Sequence, residues 1–166
     1  MALKFKVTKR APTAPQKTRT ISWDEGGPHF TIVPLSREVS RESRKDAVDP
    51  DQPTRTVRET GFRAKKVDNV KDELVPQKAL GRIILGWTDM KLKHIAEFVD
   101  PENDVALNGD PETAIPFSAE ARDVIAEAAS EIFLGFIYTS AMEFQEFQDA
   151  KHEELEGNSQ STSAGS

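Results

Sequence analysis

The sequence predicts a mainly α-helical fold, a small helical domain with a minor β element near its N-terminus. Apolar residues recur at helical spacing through Val124, Ile125, Ala128, Ala129, Ile132, Phe133, Phe136 and Ile137, the signature of a helix with a wide apolar stripe to bury. The clearest strand signal is short: the β-branched and aromatic run Phe30-Thr31-Ile32-Val33, stopped by Pro34. The chain has 166 residues, room for one ordinary domain plus tails.

Residues 1–28 mix basic and small side chains with Pro12, Pro15, Gly26, Gly27 and Pro28. Such a segment forms no regular helix and buries little surface, so a flexible basic arm is expected. The domain then spans 29–155 and opens with the Phe30 strand. Ser36 caps a helix reaching about Ala47, with sparse apolar positions at Val39, Ala47 and Val48. From Asp49 to Lys66 prolines, threonines and charges predict an exposed, mobile loop, with room for an edge strand near Thr56 to Phe62. Pro76 suits a helix's first turn, where its missing N–H would have no partner, and Ala79, Leu80, Ile83 and Ile84 mark one face. Gly86 is expected to end that helix in the left-handed conformation, leaving Trp87 to fold back over the apolar face.

Leu92, Ile95, Ala96 and Val99 have helical spacing, with Thr88 as cap; alternation of Met90, Leu92 and His94 is the competing strand pattern, and helix is preferred. Asp100 to Glu112 reads as a loop with a turn at Asn108-Gly109-Asp110-Pro111, and Val105-Ala106-Leu107 is placed to touch the core. Ser118 is a good N-cap, and Glu120 and Asp123 add favourable charge to the first turn that follows. Beyond Ile137 the helix continues on a stripe of Phe136, Ser140, Phe144, Phe147 and Lys151, with Gly135 as a place to kink or split. The polar end, 156–166, has no side chain able to offset the entropy of ordering, and a disordered tail is expected.

Composition narrows the chemistry. With no cysteine, the chain has no disulfide, no thiolate nucleophile and no cysteine-ligated zinc. His29, His94 and His152 are scattered and lack the paired spacing of a zinc helix. The acidic loop holding Asp100, Glu102, Asn103, Asp104, Asp110 and Glu112 fails as a calcium loop, since Val105 stands where glycine is required and Pro111 where a bidentate glutamate is required. No phosphate-binding loop, dinucleotide fingerprint or serine elbow occurs. No catalytic, cofactor or metal residue is therefore expected, and no enzyme. Met1 to Arg10 lacks the apolar core of a signal peptide, and Ile132 to Tyr138 is too short to cross a bilayer, which predicts a soluble intracellular protein.

Charge is uneven. Residues 1–66 hold 15 Lys and Arg against 8 Asp and Glu, whereas 67–166 hold 7 against 20. The asymmetry fits a solvated surface, a basic arm, or halves that attract each other or a neighbouring copy. Dispersed cations with no aromatic platform disfavour nucleic acid. Trp87 reads as core or as a partner anchor, and so does the phenylalanine series of the last helix, which suits a domain core or a groove-seeking, self-associating helix.

Gly86-Trp87-Thr88-Asp89, followed at a distance by Ala114-Ile115-Pro116-Phe117-Ser118-Ala119-Glu120 and the Val124 to Ile137 helix, resembles the tail assembly chaperones of long-tailed, siphovirus-type bacteriophages. In that family a helix leads into a Gly-Trp or similar aromatic turn, a polar loop follows, and a Pro-Phe-Ser or Tyr-Ser element caps a helix ending in aromatics. Phe30-Thr31-Ile32-Val33-Pro34-Leu35-Ser36 resembles the family's opening strand and first-helix cap. The likeness covers residues 29–36 and 72–155; the loop from Met90 to Pro111 is longer than the family pattern, and Asp49 to Lys66 has no counterpart in it.

The resemblance implies a non-enzymatic protein that coats the apolar, helical tape measure protein, keeps it soluble and helps recruit tail tube subunits. It acts in the host cell cytoplasm and is absent from the mature virion. In many such phages a ribosomal frameshift adds a further domain, and the polar end from Gly157 fits the unshifted product. Trp87, Phe117, Ile132, Phe133, Phe136, Phe144 and Phe147 are the expected core or partner contacts, and a homo-oligomer stays open. The alternatives are a virion structural protein, either head-tail connector or tail completion, and a small nucleic-acid-binding regulator using the basic first third.

Overall fold

The computed structural model describes residues 16–58, 64–102 and 107–161. In chain order they form β1 (Arg19–Ser22), β2 (His29–Ile32), α1 (Arg37–Asp46), β3 (Thr54–Arg58), β4 (Ala64–Asp68), α2 (Val75–Ile83), β5 (Ile84–Thr88), α3 (Leu92–Phe98), α4 (Ala119–Ala128) and α5 (Glu131–Ser161), with a short 3-10 turn at Asp72–Leu74 before α2. The expected mainly α class is overturned: helices hold 50% of the described residues, but 22% is strand, in two small sheets.

The larger sheet is antiparallel in the order β1-β2-β5. Its first strand corrects the expected arm for residues 19–22. Lys17, Arg19, Ile21 and Trp23 alternate with Thr18, Thr20 and Ser22, and the first set turns toward α5. Trp23 packs on Phe133 and Phe136, Arg19 lies over Phe144 and Phe147, and the Lys17 ammonium donates to Gln148 at 2.7 Å. The turn to β2 needs glycine at Gly26, whose φ is +81°.

In β2, Phe30 and Ile32 point into the core opposite Trp87 and Ile84 of β5. The register shifts between Thr31 and Ile32, so Leu85 is an extra, outward residue of β5. This bulge lets Ile84 and Trp87, three positions apart, face the same side. Gly86 is thus a strand residue paired with Thr31, not the left-handed helix end expected of it.

The expected loop from Asp49 to Lys66 is corrected in part. β3 and β4 pair from Thr54↔Asp68 to Arg58↔Ala64. Backbone bonds from Asp49 to Asn69 and from Asn69 to Pro53 fix the base of this hairpin. Phe62 lies outside the described residues.

Two helix caps follow from sequence and one does not. The Ser36 hydroxyl accepts from the Val39 amide and the Ser118 hydroxyl from the Ala121 amide, as their positions predict. Lys91, rather than Thr88, precedes α3; its amide donates to the His94 ring nitrogen, and helix prevails there over strand.

The apolar period from Val124 to Ile137 does not form one continuous helix. Ala129 is extended and bridges Val99, with amides donated from Asp100 to the Ala128 carbonyl and from Ser130 to the Phe98 carbonyl, both at 2.7 Å. Ser130 then caps a new helix, its hydroxyl accepting from the Phe133 amide. The split falls here, not at Gly135.

The buried stripe of α5 is Phe133, Ile137, Ala141 and Phe144, one ridge at i, i+4, i+8 and i+11. It closes a core shared with β2, β5, α2, α3 and α4, where Phe30, Ile32, Leu80, Ile83 and Phe98 are sealed from water. The helix also runs on to Ser161, correcting the expected tail for residues 156–161; residues 162–166 lie outside those described.

Candidate interaction surface

The seven aromatic and apolar side chains singled out by sequence divide between inside and outside. Phe133 is sealed at the centre of a ring cluster. It stacks on Phe98 at 4.3 Å between centroids and meets Phe30 at 5.5 Å and Trp23 at 5.9 Å. Phe144 is buried and Phe136 half-buried, the latter edge-on to Trp23 at 5.0 Å. Trp23, on no list drawn from the sequence, is the side chain that joins the β1 segment to this cluster. Its signal was the Thr-Arg-Thr-Ile-Ser-Trp alternation.

Trp87 is buried and structural. Its indole N–H donates to the Ile115 carbonyl at 2.9 Å, and Phe117 lies edge-on to it at 4.8 Å. The Gly-Trp and Ile-Pro-Phe-Ser segments, 28 residues apart, therefore meet in space. Neighbouring bonds tighten this junction: Ile115 donates to Met90, Leu92 to Thr113, and Lys93 to Pro111. Glu112 is gripped by the ammonium groups of Lys91 and Lys93. Hydrogen bonds first from Lys91 and then from Lys93 lower its pKa to about 2, and the same contact raises that of Lys91.

Ile132 and Phe147 remain outside, 76% and 55% exposed, and Phe117 keeps a partly open face. Val124, Met142 and Leu155 are exposed too. Val124 and Ile132 belong to the predicted stripe, and they are exposed because the break at Ala129 rotates the two helix segments independently. Along α5, Ile132 and Leu155 are left largely in water and Met142 and Phe147 partly so, the latter beneath Arg19, while the inward stripe is spent on the domain core.

Polar groups line grooves among the described residues. One, of about 840 Å³, lies between α1, α2 and α4 and is crossed by the Arg82–Asp46 ion pair at 2.6 Å. Another, of about 740 Å³, lies between α5 and the Pro34–Arg37 segment. Ser22, His29 and Asp89 come together at one end of the sheet, with the Ser22 hydroxyl 2.6 Å from the His29 ring. The Asp89 carboxylate stands 3.9 Å from the other ring nitrogen and is largely exposed, beyond the hydrogen-bond reach an orienting acid needs. Neither groove includes any of the three. Among the described residues no group of three or more His, Asp or Glu is placed to hold a metal ion, and no helix is long and apolar enough to cross a membrane. No family model, curated protein or solved structure matches this chain.

Proposed function

We propose that the protein is a tail assembly chaperone of a long-tailed bacteriophage. In this reading it is not an enzyme. It covers apolar helices of the tape measure protein, keeps them dispersed in the host cytoplasm, helps recruit tail tube subunits and leaves before the particle is complete. The observation that carries the reading is the apolar surface α5 keeps in water: its inward ridge closes the domain up to Phe144, while Ile132 and Met142 on the far side, Phe147 on the flank and Leu155 beyond the ridge stay exposed. Uncovered side chains of this size on one long helix suit contact with another apolar helix. The meeting of Trp87 with Ile115 and Phe117 supports the family resemblance, since the two motif segments form one unit. A net charge of −6 favours dispersion of a coated complex.

Co-expression with the neighbouring tape measure gene tests it: the tape measure protein stays in the soluble fraction with the native chain and is lost from it with Ile132→Asp plus Phe147→Asp. Mass spectrometry of purified virions provides the second arm. Persistence of the chain in the particle contradicts a chaperone and favours a virion structural protein.

A further inference from the structure

The β3–β4 hairpin has no fold-level reason for its charge. Every side chain of β3 is exposed, and in β4 only Val67 is partly covered. Arg55, Arg58, Lys65 and Lys66 face a single carboxylate in the two strands, Asp68. None of the four cations makes a hydrogen bond or ion pair with a described residue. A two-stranded ribbon without an apolar face packed against something is marginal by itself in water. Its lysines and arginines also blunt the pairing edges, so strand addition is disfavoured there and electrostatic docking is favoured.

A complementary surface exists on the same chain. From Glu143 to Glu156, α5 carries six carboxylates and one lysine, Lys151. Glu146, Asp149, Glu153 and Glu156 are exposed and spaced i, i+3, i+7 and i+10, which aligns them on one helix face, turned away from the Phe144 ridge. That acidic face is about 15 Å long at 1.5 Å per residue. The paired strands, five residues each, run roughly 16 Å at 3.3 Å per residue. Paired residues share a face of the ribbon, so Arg55 and Lys65 lie on one side and Arg58 and Lys66, with Asp68, on the other; either side presents two cations over a length close to that of the acidic face.

We propose that the basic β3–β4 hairpin of one molecule docks on the acidic face of α5 of a second copy, giving head-to-tail self-association. The partner is a second copy rather than nucleic acid because the acidic face of α5 complements the ribbon in sign and length, whereas β3 and β4 carry no aromatic side chain on which a base could stack. The two surfaces differ, so the interface is heterologous and grows into rings or open arrays instead of stopping at a two-fold dimer. This goes beyond the proposed function and does not depend on it.

Sedimentation velocity of the full chain tests the proposal. At about 0.05 M salt the mean mass rises with protein concentration past that of a dimer, and at about 1 M, where charges are screened beyond roughly 3 Å, it returns to the monomer. Reversal of the hairpin (Arg55→Glu, Arg58→Glu, Lys65→Glu, Lys66→Glu) weakens association at least about tenfold, as does reversal of the helix face (Glu146→Lys, Asp149→Lys, Glu153→Lys). An equimolar mixture of the two variants associates again, because each supplies the complement the other lost. Should either set disturb the circular dichroism spectrum, the milder pair Arg58→Glu and Glu153→Lys is mixed in the same way. A native chain that stays monomeric at every concentration overturns the proposal, as does a mixture that fails to recover. Retention of a short DNA duplex by a monomeric native chain, lost on hairpin reversal, overturns it in favour of nucleic acid.

Discussion

Neighbouring residues on α5 are predicted to respond in opposite ways to truncation, and the difference separates what folds the domain from what is left for a partner. Phe133 is sealed, with Phe98 stacked on it at 4.3 Å and Phe30 at 5.5 Å. An aromatic side chain buries about 150–250 Å²; at about 25 cal/mol per Å² that is roughly 4–6 kcal/mol, in line with the roughly 3–5 kcal/mol of measured Phe→Ala changes. Phe133→Ala therefore removes a large share of a total stability of about 5–15 kcal/mol. Ile132, one residue earlier, keeps 76% of its surface in water. If full burial of isoleucine contributes about 1.5–3 kcal/mol, the remaining quarter contributes roughly 0.5 kcal/mol, and Ile132→Ala leaves the urea midpoint nearly unmoved. The same two variants are then co-expressed with the tape measure protein. Under the proposed function, Ile132→Ala lowers its recovery in the soluble fraction while the chain keeps nearly native stability, whereas Phe133→Ala lowers both together. Equal losses of stability from the two substitutions refute the reasoning, because they place Ile132 in a core rather than on a free surface.

Other sites give independent checks. Glu112 titrates at about 2 in the folded chain against an ordinary value of 4.5. Its contribution is complete above the ordinary value and fades as pH falls toward 2; Glu112→Gln flattens this part of the melting temperature against pH. Trp87→Phe removes the 2.9 Å bond to the Ile115 carbonyl and costs about 1–3 kcal/mol in denaturant titration, and Ser118→Ala costs about 0.5–2 kcal/mol through its cap. Gly26→Ala places a side chain at φ +81° and destabilises the chain by about 1 kcal/mol, read as a lower melting temperature.

Local signals with a single physical cause were legible. Ser36 and Ser118 cap the helices they precede, and the Phe30 run forms the central strand. What failed was inference from period alone. Ala79, Leu80, Ile83, Ile84 and Trp87 keep helical spacing, yet the chain leaves the helix at Ile83, and the Leu85 bulge lets a strand reproduce the same inward set. From Val124 to Ile137 the period survives a break, because Ala129 and Ser130 pair with the end of α3, a long-range bond no local pattern encodes. In residues 16–28 proline and basic composition masked an alternation whose apolar end, Trp23, finds its partners more than seventy residues away. Of the candidate contacts, sequence identified residues that need burial somewhere, but only the tertiary fold distinguishes Phe133 from Ile132.

This distinction bears on what the motif itself can mean. The Gly-Trp and Ile-Pro-Phe-Ser segments resemble a chaperone family, yet Trp87 spends its indole on the Ile115 carbonyl and its ring edge on Phe117. Such residues are constrained by the junction they close, so their presence marks a way of folding and leaves partner choice to other positions. The side chains free to choose are on α5, where stability asks little of Ile132 and, beyond its contact with Arg19, little of Phe147. A chain keeping Trp87, Ile115 and Phe117 but carrying aspartate at 132 and 147 should therefore fold, melting a little lower because the Arg19 contact with Phe147 is lost, while losing the tape measure protein from solution. Loss of folding in that chain, or undiminished rescue by it, removes α5 from the proposed binding surface.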